Sequence, residues 1–302
     1  MEPHEQQLVI ILADISGYTK FMVENQLAAI HGQQCITFLI ETIIREVDIP
    51  LHLQELEGDA VFLYAVRGGS QVWPEVFTQI RTKLVRFFEA FIEAMIIGGE
   101  VAPIPCPCSV CKDVHQLKLK VIVHSGRAVF NTIGGRPQVS GTDVILAHRL
   151  LKNSVPGHEY LLMTEPAYRD LGHEMSGDFV KGEETCEGFG PVNTYVQFMG
   201  EAAERARDTL YALPPAGLAS RGRRWFWWNF FEQFRALIQQ IRHPVTEVGW
   251  LSRGGFIIGL VLSFPFSSLI VCSWGMFVVP RRLLSLRETR TQTSRQPPGA
   301  GG

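Results

Sequence analysis

The stretch from Leu8 to Phe21, LVIILADISGYTKF, constrains this chain more than any other. Apolar residues, many of them β-branched, climb without a break to Asp14 and stop at Ser16-Gly17. That pattern predicts a strand buried on both faces that delivers one carboxylate to a turn. A carboxylate has no place in a core unless something pairs with it. A second apolar run follows the same plan, because in QELEGDAVFLYA the residue Asp59 stands next to Gly58 where a strand meets a turn. Two aspartates placed in this way can share divalent metal ions.

The segments between these strands read as helices packed on a sheet. From Phe21 to Ile49, Leu27, Ile30, Phe38, Leu39 and Ile43 fall at helical spacing, which predicts one or two helices ending before Pro50. Leu51 to Tyr64 reads as a hairpin turning at Glu57-Gly58, with a return strand from Ala60 to Ala65. A long amphipathic helix is expected from Trp73 to Ile97, ending at Gly98-Gly99. A Pro/Cys loop follows, and then the strand LKLKVIVHSG. This order of β, αα, ββ, α, β predicts an α+β domain of the ferredoxin-like type, a mixed sheet covered by helices.

Composition sets the remaining bounds. A net charge of -2 over 302 residues gives no electrostatic footprint for a nucleic-acid partner. The start, MEPHEQQ, runs straight into the first strand without a basic leader, so the N-terminal domain is expected in the cytoplasm. Three of the six cysteines crowd together as Cys106, Cys108 and Cys111, too close for separate disulfides. With His115 they form Cys-x-Cys-x2-Cys-x3-His, four ligands for a closed tetrahedral zinc site, against the alternative of a plain reduced loop. The other three, Cys35, Cys186 and Cys272, read as small buried hydrophobes.

Four blocks carry a resemblance. ILADISGYT resembles the FADIxGFT signature of class III nucleotidyl cyclases, and ELEGDAVF resembles their ETIGDA or KTIGDA hairpin. The run from His124 to Leu150, HSGRAVFNTIGGRPQVSGTDVILAHRL, is similar to the HxGxVxxGxxG...GxxVNxAxRL region, and GFGPVNTYVQF is similar to the closing GxGxxxTYxL strand. The blocks keep the family order over roughly the first two thirds of the chain. The resemblance implies a class III cyclase fold, a homodimer, a purine nucleoside triphosphate as ligand and two magnesium or manganese ions. It assigns the metals to Asp14, Ile15 and Asp59, the phosphates to the backbone at Gly17, Tyr18 and Thr19, the α-phosphate to Arg149, and the purine to Glu55 and Gln138. A carboxylate at Glu55 can accept from the two donors on the guanine edge, which favours guanine over adenine, whereas the Gln138 amide serves either base.

The match thins at the transition-state residues. In VILAHR the arginine is present as Arg149, but Ile145 stands where the family has asparagine. The closing strand offers Glu187 and Phe189 in place of the family's phosphate lysine. One lost donor of this kind costs about a hundredfold or more in rate. Two readings therefore stand, a membrane-anchored cyclase-like enzyme and a catalytically silent cyclase-homology domain that binds nucleotide or metal as a sensor or interaction module.

The membrane enters through the C-terminal third. Residues 1-200 are expected to form the cyclase-homology domain, with a Cys-rich loop at 103-116, and residues 201-223 a polar, proline-broken linker. Residues 224-248 combine aromatics with Glu232 and Arg235, the pattern of an amphipathic helix lying among lipid headgroups. Residues 254-279 carry no charge and exceed the about 20 residues that cross a bilayer, which predicts a membrane segment. Residues 280-302 read as a basic, disordered tail.

Overall fold

The computed structural model of the chain describes residues 2–26, 29–48, 50–67, 73–100, 110, 113–200, 204–205 and 208–209. By its contacts the chain divides into two units, Met1–Met95 with Pro107–Arg207 and Ile96–Cys106 with Asp208–Gly302, and the sheet lies in the first. The expected linker, amphipathic helix, membrane segment and tail fall outside the described residues, apart from two short stretches of the linker. Among the described residues no helix is long and apolar enough to cross a membrane.

The apolar run around Asp14 forms β1, His4–Ser16, flanked on both sides by partners. Two helices follow, α1 at Tyr18–Glu24 and α2 at Ala29–Ile44, and then the hairpin of β2, His52–Glu57, and β3, Ala60–Val66. Its two-residue turn is Gly58-Asp59, one position later than the sequence reading, with Gly58 at φ 67° as such turns require. The long helix α3 runs Trp73–Glu100, straight through Gly98-Gly99, where the sequence had pointed to a stop. Glycine lowers helix propensity by only about 1 kcal/mol, which does not by itself end a helix.

The strand after the cysteine loop is also longer than LKLKVIVHSG. It forms β4, Lys118–Ile133, which turns back at Gly134-Gly135 into β5, Arg136–Ser140. The domain is completed by α4, Thr142–Leu150, β6, Tyr160–Thr164, α5, Glu165–Leu171, and the hairpin of β7, Val180–Cys186, with β8, Gly190–Phe198. The eight-stranded sheet has the order β2-β3-β1-β4-β6-β8-β7, with β5 paired to β4. It is mixed, because β4 and β6 run parallel while its other pairings are antiparallel. This is the α+β architecture expected from the element order.

Pleating sorts β1 into two buried faces. Leu8, Ile10 and Leu12 join Phe62 and Ile122 in a core closed by Val144, Leu146, Ala147 and Leu150 of α4. Val9, Ile11, Ala13 and Ile15 face the other way and are equally buried, and the helices bring Ile36, Leu39, Ile43, Leu84, Phe87 and Phe88 to the interior. Asp14 is in register with the α4-side residues, so its carboxylate lies on the face that α4 covers.

Candidate functional site

Chain register builds the site at one end of β1. Asp14 is the partner of Ala60 on β3 and of Lys120 on β4, and the turn that carries Asp59 immediately precedes Ala60. The Ile15 amide donates to the Asp59 carbonyl at 3.3 Å, which ties the two aspartate-bearing segments together. The side chains respond to this closeness. Burial, reinforced by the neighbouring Asp14 carboxylate, pushes the Asp59 carboxyl up to about 7.

A cation that the sequence reading missed stands in the same place. The Lys120 ammonium is 2.9 Å from Asp14 and donates to the Leu151 carbonyl at 3.0 Å, with only 16% of its side chain exposed. A lysine that buried needs a partner. In LKLKVIV the alternation of lysine with apolar residues looks like an ordinary strand with a solvated face, and only the register of β1 against β4 sets Lys120 opposite Asp14. The available signal was the polar member of the alternation nearest the strand start.

The other candidates distribute as follows. Ile15 is buried, and Gly17 adopts φ 91° as the residue before α1, so Tyr18 and Thr19 open that helix. A Cβ on Gly17 would stand 3.7 Å from the Gln116 carbonyl, so the left-handed backbone rather than space makes glycine necessary there. Glu55 is exposed on β2, just past a bulge at Gln54, and Gln138 is half-buried on β5. The Gln54 amide donates to the Pro137 carbonyl at 3.1 Å, which brings the β2 and β5 hairpins together beside both candidate base readers.

Glu57 joins this group through His148 of α4, 3.2 Å away. Burial raises the Glu57 carboxyl; His148 opposes that rise and Glu55 adds to it. Arg149, one residue on, pairs with Glu187 at 2.8 Å. Ile145 is 50% exposed, an apolar side chain presented to solvent from a helix whose other apolar residues are buried.

The first turn of α4 is pinned by a buried network. His124 is 2.8 Å from the Thr164 hydroxyl and 3.6 Å from Asp143, and Asp143 accepts from the Arg127 amide at 2.6 Å. Those contacts hold the Asp143 carboxyl below its usual range, with His124 the largest influence. A Cβ on Gly126 would lie 2.2 Å from an Asp143 oxygen, so the HSG part of the third block serves this junction. His115 sits in the short turn Val114–Gln116, while Cys106, Cys108 and Cys111 lie outside the described residues. Among the described residues no group of three or more His, Cys, Asp or Glu side chains could hold a metal ion.

An all-oxygen pair of carboxylates suits hard cations such as magnesium or manganese, and it disfavours soft ones. Burial is the main reason the Asp59 carboxyl is raised and the Asp14 charge adds to it, so a cation shared by the two carboxylates would offset both costs. The residues therefore fit a divalent cation.

Comparison with known proteins bears on the fold. Residues 36–160 match the model of a family described as a protein of unknown function, DUF2652. An uncharacterized protein of Mycobacterium tuberculosis is 29% identical over 169 residues, which is 52% of this chain and 70% of the relative. Among solved structures, the adenylyl cyclase CyaB from P. aeruginosa is similar with a TM-score of 0.49 at 14% identity, over 65% of this chain and 96% of that one. The guanylyl cyclase Cya2 is similar with a TM-score of 0.50 at 15% identity, over 65% of this chain and 94% of that one. At that identity the likeness speaks for architecture alone, and the described domain has a cyclase-like α+β fold.

Proposed function

We propose that this chain is a membrane-anchored, class III nucleotidyl cyclase-like protein that binds a purine nucleoside triphosphate with divalent magnesium or manganese and works as a homodimer. The observation that carries the reading is the side-by-side placement of Asp14 and Asp59 at the end of β1, with the Asp59 carboxyl pushed up to about 7. Two ions bound there would neutralise phosphate charge and favour ionisation of the ribose hydroxyl.

The chain's own groups supply the rest. Asp14, Asp59 and the backbone at Ile15 hold the ions, and the backbone at Gly17, Tyr18 and Thr19 faces the phosphates. Lys120, a point charge beside Asp14, is placed to be shared with the same phosphates. Glu55 accepts from the guanine edge, and Gln138 serves as its partner. Arg149 completes the site across the dimer. Residues 224-248 and 254-279 attach the protein to lipid, with the N-terminal domain in the cytoplasm. Cys106, Cys108, Cys111 and His115 hold one zinc ion.

A second reading, a catalytically silent module, is favoured by two observations, the exposed Ile145 and the pairing of Arg149 with Glu187. One experiment addresses both readings. Purified protein is titrated with GTP and ATP in manganese by calorimetry, and the same mixtures are analysed for cyclic product by chromatography. Metal-dependent binding, tighter for GTP and lost in Asp14→Asn, is the expected outcome. Binding that ignores manganese would sink the proposal, and binding without cyclic product selects the silent module.

A further inference from the structure

The opposite end of the sheet carries a second polar concavity. A cleft of about 180 Å³ opens there, lined by Arg67 after β3, Trp73 at the head of α3, Ser125 and Arg127 on β4, and Arg169 and Asp170 on α5. Its floor reaches Leu8 of β1, six strand positions from Asp14, a separation of about 20 Å at roughly 3.3 Å per residue. The cleft is therefore separate from the aspartate site. Its volume lies below the about 300 Å³ at which sites for drug-sized ligands begin, which suits a small anion.

Its lining combines hydrogen-bond donors, Arg67, Trp73, Ser125 and Arg169 among them, with apolar surface from Leu8 and Pro166. Arg67 rests 5.5 Å from the Trp73 ring, and neither Arg67 nor Arg169 has a carboxylate partner among the described residues. The Trp73 Nε1 and Ser125 Oγ atoms are buried with no hydrogen-bond partner. Indole N–H can only donate, and an arginine fork matches an oxyanion in geometry as well as charge. Buried donors without partners are rare enough in folded proteins to call for a ligand or water as explanation. Arg127 already pairs with Glu5 at 2.6 Å, so Arg67 and Arg169 are the available cations.

Asp170 narrows the chemistry. It is the one carboxylate lining the cleft among the described residues, and an ionised carboxylate can only accept. An anion that brings both acceptor oxygens and one O–H would meet the donors and Asp170 together. Inorganic phosphate at neutral pH has both. Sulfate has no proton to give, and a phosphomonoester has mostly lost its own, with a second pKa of about 6. We propose that this cleft is an inorganic phosphate site, in which Arg67 and Arg169 supply charge, Trp73 and Ser125 donate to the oxygens, and Asp170 accepts the phosphate O–H.

The test uses the full-length protein in detergent, titrated by calorimetry with sodium phosphate at pH 7 and constant ionic strength. Saturable binding is expected, with sodium sulfate and methyl phosphate each at least about tenfold weaker. Arg67→Gln and Arg169→Gln should each weaken phosphate by about tenfold, as the loss of one charge-assisted hydrogen bond predicts. Trp73→Phe, which keeps the ring and removes the donor, should weaken it less and provides a variant with little effect on folding. Asp170→Asn should abolish the preference for phosphate over sulfate. Arg149→Gln should leave phosphate binding unchanged, which separates this cleft from the proposed nucleotide site. Absence of phosphate binding, equal binding of sulfate by the unaltered protein, retention in both arginine variants, or loss in Arg149→Gln would each overturn the assignment.

Discussion

Asp59 is a carboxylate whose protonation is coupled to folding. Its carboxyl is raised from 3.8 to about 7, chiefly by burial and then by Asp14, so the folded protein binds that proton more tightly than the unfolded chain does. Stability from this source is present below the ordinary carboxylate value near 4 and is lost as pH rises through about 7. In EDTA the melting temperature should therefore fall between pH 5 and pH 8. Asp59→Asn, which cannot ionise, should flatten that fall and melt higher than the unaltered protein at pH 8, by about 2–4 °C for each kcal/mol relieved. The same variant should lose manganese binding. An unchanged pH slope in Asp59→Asn would remove Asp59 from the site. Gly126 offers the contrasting structural case, because an added Cβ would meet the Asp143 carboxylate at 2.2 Å. Gly126→Ala should lower the midpoint of urea unfolding, at a cost of about 1–3 kcal/mol, typical of overpacking. A midpoint within error of the unaltered protein would show that Asp143 can swing away.

Among the elements, α4 carries the residues on which the two proposed readings differ, Ile145 and Arg149. Its first turn is fixed by Asp143 to β4, and His148 is held by Glu57 and packs edge-on against Phe62, so Ile145 and Arg149 project from a well-anchored helix. A donor restored at position 145 would have a rigid frame. Ile145→Asn should raise cyclic-product formation by about a hundredfold, the usual worth of one preorganised donor, and Glu187→Gln should add to it by releasing Arg149. No gain in either variant, measured with manganese and GTP, would favour the silent module. The sequence made much of this legible. The unbroken apolar run around Asp14 demanded a central strand, and it lies between β3 and β4. The helical spacing before Pro50 and after Trp73 marked α2 and α3. What stayed hidden depends on pairing between distant strands. Lys120 meets Asp14 only through register, and the extension of β4 past Gly126 depends on β1 pairing as far as Phe130. The Glu187 contact of Arg149 likewise joins segments 38 residues apart, which no local pattern encodes.

For the molecule as a whole, the proposed attachment to lipid would set where the cyclase-like domain acts. The uncharged stretch from Gly254 to Val279 has Pro265 near its middle, where a missing amide and a steric clash kink or break a helix. Its flanks carry Arg242 and Arg253 before it and Arg281, Arg282, Arg287 and Arg290 after it, and basic residues prefer the cytoplasmic side. A hairpin bent at Phe264-Pro265-Phe266 would keep both flanks inside, but each arm would then be only about a dozen residues, short of the roughly 20 that cross a bilayer. One tilted span kinked at Pro265 exports the more basic flank, but it uses the full apolar length, and tilt absorbs the excess. We expect that span, with Trp225 to Trp228 and Trp250 in the headgroup layer on the cytoplasmic side. Cysteine introduced at Ser294 should react with an impermeant thiol reagent in intact cells, and protection until lysis would establish the hairpin instead. In either arrangement the protein should sediment with membranes, and removal of everything after Gly222 should release the domain, whereas full-length protein in the soluble fraction would refute the anchor.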